Sequence, residues 1–216
     1  MTDKNYFIKE GYRCNLDSKG KATPFVGDKT MALRFQVPVY EFAEETIKKY
    51  GSKSVLDVGC GWGVKLNEFV YPVCRNIVGI DGIKEKIRFC RKEYPFGRWF
   101  VDNIESTRLK LNRTFDLVIS SDVIEHLADP DKLLFYIRKF SSETTFIIIS
   151  TPERDLFRGK GSFGPPANPA HVREWNTAEF KRYIESRKFR ILNHFLVAEG
   201  RGFDGETCQV ILSQKG

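Results

Sequence analysis

Long apolar runs are missing from this chain of 216 residues. Its most apolar stretch, Phe146-Ile147-Ile148-Ile149, falls far short of the ~20 residues that a helix needs to cross a bilayer. The opening Met1-Thr2-Asp3-Lys4-Asn5 leads into no apolar segment of the kind a secretory leader carries. The expectation is therefore a cytoplasmic protein without membrane association. Cysteine is sparse: Cys14, Cys60, Cys74, Cys90 and Cys208 are odd in number, widely spaced and free of any Cys-x-x-Cys pair. That argues against a disulfide framework and against a cysteine zinc knuckle. No repeat of solenoid period and no low-complexity run occurs. Lys and Arg outnumber Asp and Glu by 35 to 28, yet no block of like charges forms. The net charge of +7 thus reads as a solvated basic surface and identifies neither nucleic acid nor any other anion.

What is present suits one globular domain. Hydrophobic residues make up 41% of the chain, and 18 Phe, 8 Tyr and 3 Trp supply ample core material. The first thirty residues read as an irregular arm, and apolar residues at helical spacing (Phe35, Val39, Phe42, Ala43, Ile47) predict a helix from about Thr30 to Tyr50, with Gly51 as its stop. Short apolar runs at Ser54–Val58, Asn76–Ile80, Arg98–Val101, Phe115–Ser120 and Thr145–Ser150 are candidate strands. Helical spacing lies between them, near Val64–Val70, Lys84–Glu93 and Asp131–Phe140. Strands alternating with helices of this length imply right-handed crossovers and a parallel sheet. Pro152, Pro165, Pro166 and Pro169, with Gly159, Gly161 and Gly164, then mark a long loop of the kind that often serves as a lid. A helix over Asn176–Arg187, capped by Thr177, and two strands near Arg190–Val197 and Glu206–Leu212 close the chain. The expected organisation is an arm and helix over 1–50 that cap the site, and a domain over 51–216 whose loop 152–171 is the lid.

Val55-Leu56-Asp57-Val58-Gly59-Cys60-Gly61-Trp62-Gly63 is the most informative segment. A buried strand enters a Gly-x-Gly-x-Gly turn and then a helix; glycine permits left-handed dihedrals and close approach of a ligand. Open α/β sheets bind ligands at the carboxyl ends of such strands. A dinucleotide site would want Gly or Ala where Val64 stands, and no Gly-Lys-Ser/Thr follows to make a Walker loop. Asp57 at the strand end suits an ammonium or sulfonium better than a phosphate. Asp81, ending Val78-Gly79-Ile80-Asp81, can accept two ribose hydroxyls, and Asp102-Asn103 ends the third strand where an adenine edge would lie.

From Ser54 to Leu212 the chain resembles the class I S-adenosylmethionine-dependent methyltransferases: Val55–Gly63 is similar to their signature loop, Phe115–Ser120 to their fourth strand and Thr151-Pro152 to the turn after their fifth. The resemblance implies an α/β, Rossmann-like fold, a seven-stranded mostly parallel sheet of order 3-2-1-4-5-7-6 with helices on both faces. It also implies S-adenosyl-L-methionine as cofactor. Asp57, Gly59, Cys60, Gly61 and Gly63 would face the methionine end, Asp81 and Gly82 the ribose, Asp102 and Asn103 the adenine, with Ser120 beside them.

A second constellation follows the fourth strand. In Ser121-Asp122-Val123-Ile124-Glu125-His126-Leu127, residues three and four apart would share a helix face, bringing Asp122, Glu125 and His126 together. His171 follows the proline-rich loop, so two of the chain's three histidines fall here. Mixed carboxylate and imidazole donors suit Mg²⁺, Mn²⁺, Fe²⁺ or Co²⁺. The set resembles that of the metal-dependent small-RNA 3′-end 2′-O-methyltransferases and the ubiquinone-pathway O-methyltransferases, with Asp122 where their first Glu stands. Two readings remain: Asp122, Glu125, His126 and His171 hold a metal, or His171 or His126 acts as a metal-free general base. Either leads to O-methylation, because a hydroxyl is a poor nucleophile until it loses its proton. The expected acceptor is a small molecule or a sugar or glycan precursor. An RNA 2′-hydroxyl is the runner-up, a non-catalytic cofactor-binding partner subunit the third reading, and a nicotinamide-dependent dehydrogenase the remotest. Oligomeric state is not legible.

Overall fold

The computed structural model describes residues 6–25, 27–198 and 207–216. Strands β1 (Val55–Val58), β2 (Ile77–Asp81), β3 (Arg98–Val101), β4 (Phe115–Ser121), β5 (Ser141–Pro152), β6 (Phe189–Ala198) and β7 (Thr207–Lys215) form one sheet of order β3-β2-β1-β4-β5-β7-β6. The first five run parallel, with β1 seated between β2 (Val55 beside Ile77) and β4 (Val55 beside Leu117). β7 is antiparallel to both its neighbours, Leu212 lying beside Ile148 and Ile211 beside His194. This is the order that the resemblance implies.

The apolar runs are continuous because both faces of the sheet are covered. Side chains alternate across it: Leu56, Val58 and Val118 enter one core with α3 (Asp131–Lys139) and α5 (Thr177–Ser186), while Val55, Leu117 and Ile119 enter the other with α1 (Val37–Tyr50) and α2 (Lys84–Glu93). Trp175 is fully buried and stacks on Tyr183, with ring centres 5.6 Å apart. Among the described residues, no helix is long and apolar enough to cross a membrane.

Several boundaries differ from expectation for local reasons. The helix expected from Thr30 starts at Val37: Pro38 in its first turn has no amide to bond back to a preceding turn, Gln36 takes a left-handed φ of 63°, and Lys29–Met31 is a separate 3-10 turn. The cap of α5 is Asn176 rather than Thr177: its side chain accepts from the Glu179 amide while the Glu179 carboxylate accepts from the Asn176 amide. The long loop holds a one-turn helix, α4 (Arg154–Arg158), started by the Glu153 side chain. Of the closing strand expected from Glu206, that first residue lies outside the described ones. After β4 the chain makes a 3-10 turn, Ile124–His126, instead of an α-helix.

Loop 152–171, the expected lid, packs against the arm. The arm pins it: the Arg13 amide donates to the Phe163 carbonyl, and the Asn15 side-chain amide donates to the carbonyls of Pro166, Asn168 and His171. From the arm, Pro24, Phe25 and several residues between Gly27 and Gln36 line the cavity at the strand ends, and the Trp62 indole donates to the Gly27 carbonyl at 3.2 Å.

Candidate active site

A cavity of about 590 Å³ opens at the carboxyl ends of β1, β2 and β4, within the range of small-molecule sites. Its floor is the glycine turn. Gly59 has φ +88°, and a Cβ there would come within 2.3 Å of the Val123 side chain, so only glycine fits between β1 and the turn after β4. At Gly61 no atom of the described residues beyond its own chain neighbours lies within 4 Å of the place a Cβ would take, and Gly61 lines the cavity.

Asp57 lies beneath the floor, fully buried. Its Oδ2 accepts from the Tyr40 hydroxyl at 2.8 Å, and its Oδ1 has no hydrogen-bond partner among the described residues. Burial pushes its carboxyl up to about 7, against the pull of the Tyr40 hydrogen bond and the Lys65 charge and with a further push from Asp81. Asp81 is on the wall, with Oδ2 accepting from the Gly61 amide at 3.0 Å and Oδ1 from the Ile83 amide at 2.8 Å. Cys60, Gly63 and Gly82 line the cavity as well, and burial keeps the Cys60 sulfur a thiol.

Asp102 and Asn103 reach the wall, but their side chains are committed. The Asp102 carboxylate accepts from the Tyr136 hydroxyl (2.8 Å), the Thr107 hydroxyl and the Arg108 amide, and the Asn103 side chain accepts from the Glu105 amide. The Ser120 hydroxyl donates to the Val58 carbonyl at 3.0 Å inside the sheet, and the next residue, Ser121, lines the cavity. Strand alternation turns neighbouring side chains to opposite faces.

Glu125, His126 and His171 converge; one donor atom from each lies within 4.8 Å of the others. Asp122 is not in that group. Its backbone takes φ 51°, and its Oδ1 accepts from the Ser150 hydroxyl at 2.7 Å and the Cys208 thiol at 3.1 Å. The expected helical face never forms, because the segment is a 3-10 turn.

His126 lines the cavity with its Nδ1 2.8 Å from the Ala170 carbonyl. A carbonyl only accepts, so Nδ1 carries the proton and Nε2 offers a lone pair. Burial, with the charge of His171, lowers the His126 pKa to about 4, so the ring is neutral at pH 7. The His171 Nδ1 lies 2.8 Å from Glu174 Oε1. Burial pushes the Glu174 carboxyl up, but hydrogen bonds and charge from His171 and Arg158 outweigh it and leave the pKa below the usual value. Glu125 is wholly buried: Oε2 accepts from the Thr151 hydroxyl at 3.1 Å, while Oε1 has no hydrogen bond among the described residues and lies 4.0 Å from His126 Nε2. Burial and the nearby Asp122 push its carboxyl well above the usual range. Arg173 braces the turn from behind, donating to the carbonyls of Leu127 and Ala128 at 2.8 Å each.

Tyr40, Glu174, Arg173, Lys86 and Phe25 belong to the site without any sequence signal that singles them out. Phe25, from the arm, stacks on the His126 ring at 4.7 Å. Except for Glu174, three positions from His171, these residues sit well along the chain from the groups they touch, and no motif announces them.

This sheet order, with a glycine turn after β1 and an acid at the end of β2, defines a Rossmann-like methyltransferase fold. A methyltransferase-domain family model matches residues 35–194, so the chain belongs to that family. A probable S-adenosylmethionine-dependent methyltransferase of Mycolicibacterium smegmatis is 28% identical over 69% of this chain and 57% of its own length. The ubiquinone biosynthesis O-methyltransferase of Pelagibacter ubique is 26% identical over 65% of this chain and 60% of its own. The chain thus spans under two thirds of either relative. The crystal structure of the methyltransferase domain of bacterial CtHen1 superposes with TM-score 0.62 at 20% identity, covering 83% of this chain and 98% of that one; at that identity the likeness speaks for the fold. The cofactor of the family is S-adenosylmethionine.

Proposed function

We propose that the protein is an S-adenosylmethionine-dependent O-methyltransferase of a small hydroxyl-bearing molecule, with Glu125, His126 and His171 holding a divalent metal at the acceptor end of the cavity. One observation carries the metal: one donor atom from each of Glu125, His126 and His171 lies within 4.8 Å of the others, His126 Nε2 stands 4.0 Å from Glu125 Oε1, and that buried oxygen has no hydrogen bond among the described residues. A buried carboxylate oxygen without a hydrogen bond is costly, and a cation answers it. The outer contacts fit too, since metal-binding imidazoles usually donate their other nitrogen to a carbonyl or carboxylate, as His126 does to Ala170 and His171 to Glu174. The O-methyltransferase relatives support a hydroxyl acceptor.

In this reading the glycine turn seats the methionine end of the cofactor above Asp57, and Asp81 accepts the ribose hydroxyls. Asp102 acts through its backbone and Asn103 with it, since their side-chain acceptors are in use. When bound, the metal would lower the pKa of the acceptor hydroxyl. The chain supplies the alignment: the arm from Pro24 to Gln36 covers the cavity, and Phe25 fixes the His126 ring from above. Holding acceptor oxygen and methyl carbon at ~3–3.5 Å is worth up to ~7–11 kcal/mol of the barrier.

The test is Co²⁺ titration followed by visible absorption, alongside calorimetry with S-adenosylhomocysteine. His171→Ala and Glu125→Gln should each weaken Co²⁺ at least tenfold and leave S-adenosylhomocysteine affinity within twofold. Equal Co²⁺ binding by wild type and variants, or none by wild type, overturns the metal assignment.

A further inference from the structure

Lys86 points to an anionic group on the acceptor. It sits in the first turn of α2, is 5% exposed and lines the cavity. Among the described residues its ammonium has no hydrogen bond and no ion pair; its one ring contact is Phe25, whose centre is 5.7 Å away. A Cβ added at Gly27 of the arm would lie 3.8 Å from Lys86 Nζ, which places the charge directly under the arm. A nearly buried ammonium without a counter-charge is unfavourable, and its position at the positive end of a helix makes it more so. The start of α2 adds a second sign. Gly82 and Ile83 line the cavity, and Ile83, as N-cap, gives the first turn no side-chain acceptor. An anion placed there would meet a lysine and a helix N-terminus together.

The cofactor does not supply that anion in the arrangement proposed above, on which this inference rests. Its one carboxylate belongs to the methionine end, on the side of the glycine turn where Asp57, Tyr40 and Lys65 lie. Lys86 lies on the far side, one helical turn beyond Asp81 and Ile83, against the Phe25 ring that stacks on His126. The charge therefore faces the space left for the acceptor.

We propose that Lys86 and the N-terminus of α2 bind a carboxylate or phosphate of the methyl acceptor, so that the enzyme selects anionic hydroxyl compounds over neutral ones.

The experiment uses wild type, Lys86→Gln and Lys86→Arg, each first titrated with S-adenosylhomocysteine. The loaded proteins are then titrated with benzoate, inorganic phosphate and neutral benzamide at constant ionic strength. Wild type should bind benzoate or phosphate at least tenfold more tightly than benzamide, and the anion preferred identifies the group. Lys86→Gln should lose at least tenfold, Lys86→Arg should stay within threefold of wild type, and S-adenosylhomocysteine affinity should stay within twofold throughout. The proposal falls if neither anion binds wild type, if Lys86→Gln binds it unchanged, or if that variant loses S-adenosylhomocysteine instead. Wild type that fails to bind S-adenosylhomocysteine sinks the cofactor arrangement first, and this inference with it.

Discussion

Replacing Asp57 with asparagine should make the protein more stable relative to wild type as the pH rises. The Asp57 carboxyl is fully buried, and its pKa is raised to about 7, whereas a carboxyl in the unfolded chain titrates near ~3.9. Between those values the folded protein keeps a proton that the unfolded chain has released. The stability contributed by this group is therefore complete below about pH 4 and is lost as pH rises through about 7. A span of about three pH units at ~1.4 kcal/mol each gives up to roughly 4 kcal/mol. The asparagine side chain would keep the neutral shape and an acceptor for the Tyr40 hydroxyl at every pH. Other titrations are common to both proteins and cancel in the difference. At roughly 2–4 °C per kcal/mol for a chain of this size, the Tm of Asp57→Asn minus that of wild type should rise by roughly 8–16 °C between pH 4 and pH 8. Differential scanning calorimetry without cofactor measures this directly. A difference that does not change with pH, or that falls, refutes the account of Asp57 as a carboxyl held neutral by burial. Wild type should bind cofactor more tightly as pH rises and Asp57 ionises beneath the cationic methionine end, and the same variant should lose that strengthening.

Three further outcomes are expected. Gly59→Ala, with φ +88° and a Cβ 2.3 Å from Val123, should cost about 1–3 kcal/mol in urea unfolding and weaken S-adenosylhomocysteine at least tenfold; near-wild-type affinity would contradict the close approach. Ser120→Ala should leave that affinity within twofold while costing about 1 kcal/mol of stability, since its hydroxyl serves Val58 and not the cavity. Arg154→Met should cost about 3–5 kcal/mol, because the buried Glu179 would lose both the 2.6 Å and the 3.0 Å guanidinium contacts; adding Glu179→Gln should recover part of the loss, and additive losses would speak against the pairing.

The parts of this site that are readable in the sequence are those with short-range causes. The glycine turn, Asp81 at a strand end and the pair Glu125-His126 each depend on neighbours within a few residues. Their chemistry is visible as a local pattern. His171 is readable as a second imidazole of the right kind, although 45 positions separate it from His126. Asp122 and Ser120 fall elsewhere than expected because of local geometry. A 3-10 turn forms where a helical face was expected, and alternation along β4 gives the cavity side to Ser121 rather than to Ser120.

By itself the sequence determined the order of strands and helices, the two-faced burial of the sheet and the position of the glycine turn, because periodicity and backbone freedom are properties of adjacent residues. Only the tertiary structure decided which charges are left unanswered. Among the described residues, Asp57 is neutralised by depth, Glu125 Oε1 lacks a hydrogen bond, Lys86 is enclosed without a counter-charge, and residues of the arm line the cavity. Those outcomes depend on what packs against each group from distant parts of the chain, and electrostatics in a protein interior is set by that surrounding matter rather than by the residue's own identity.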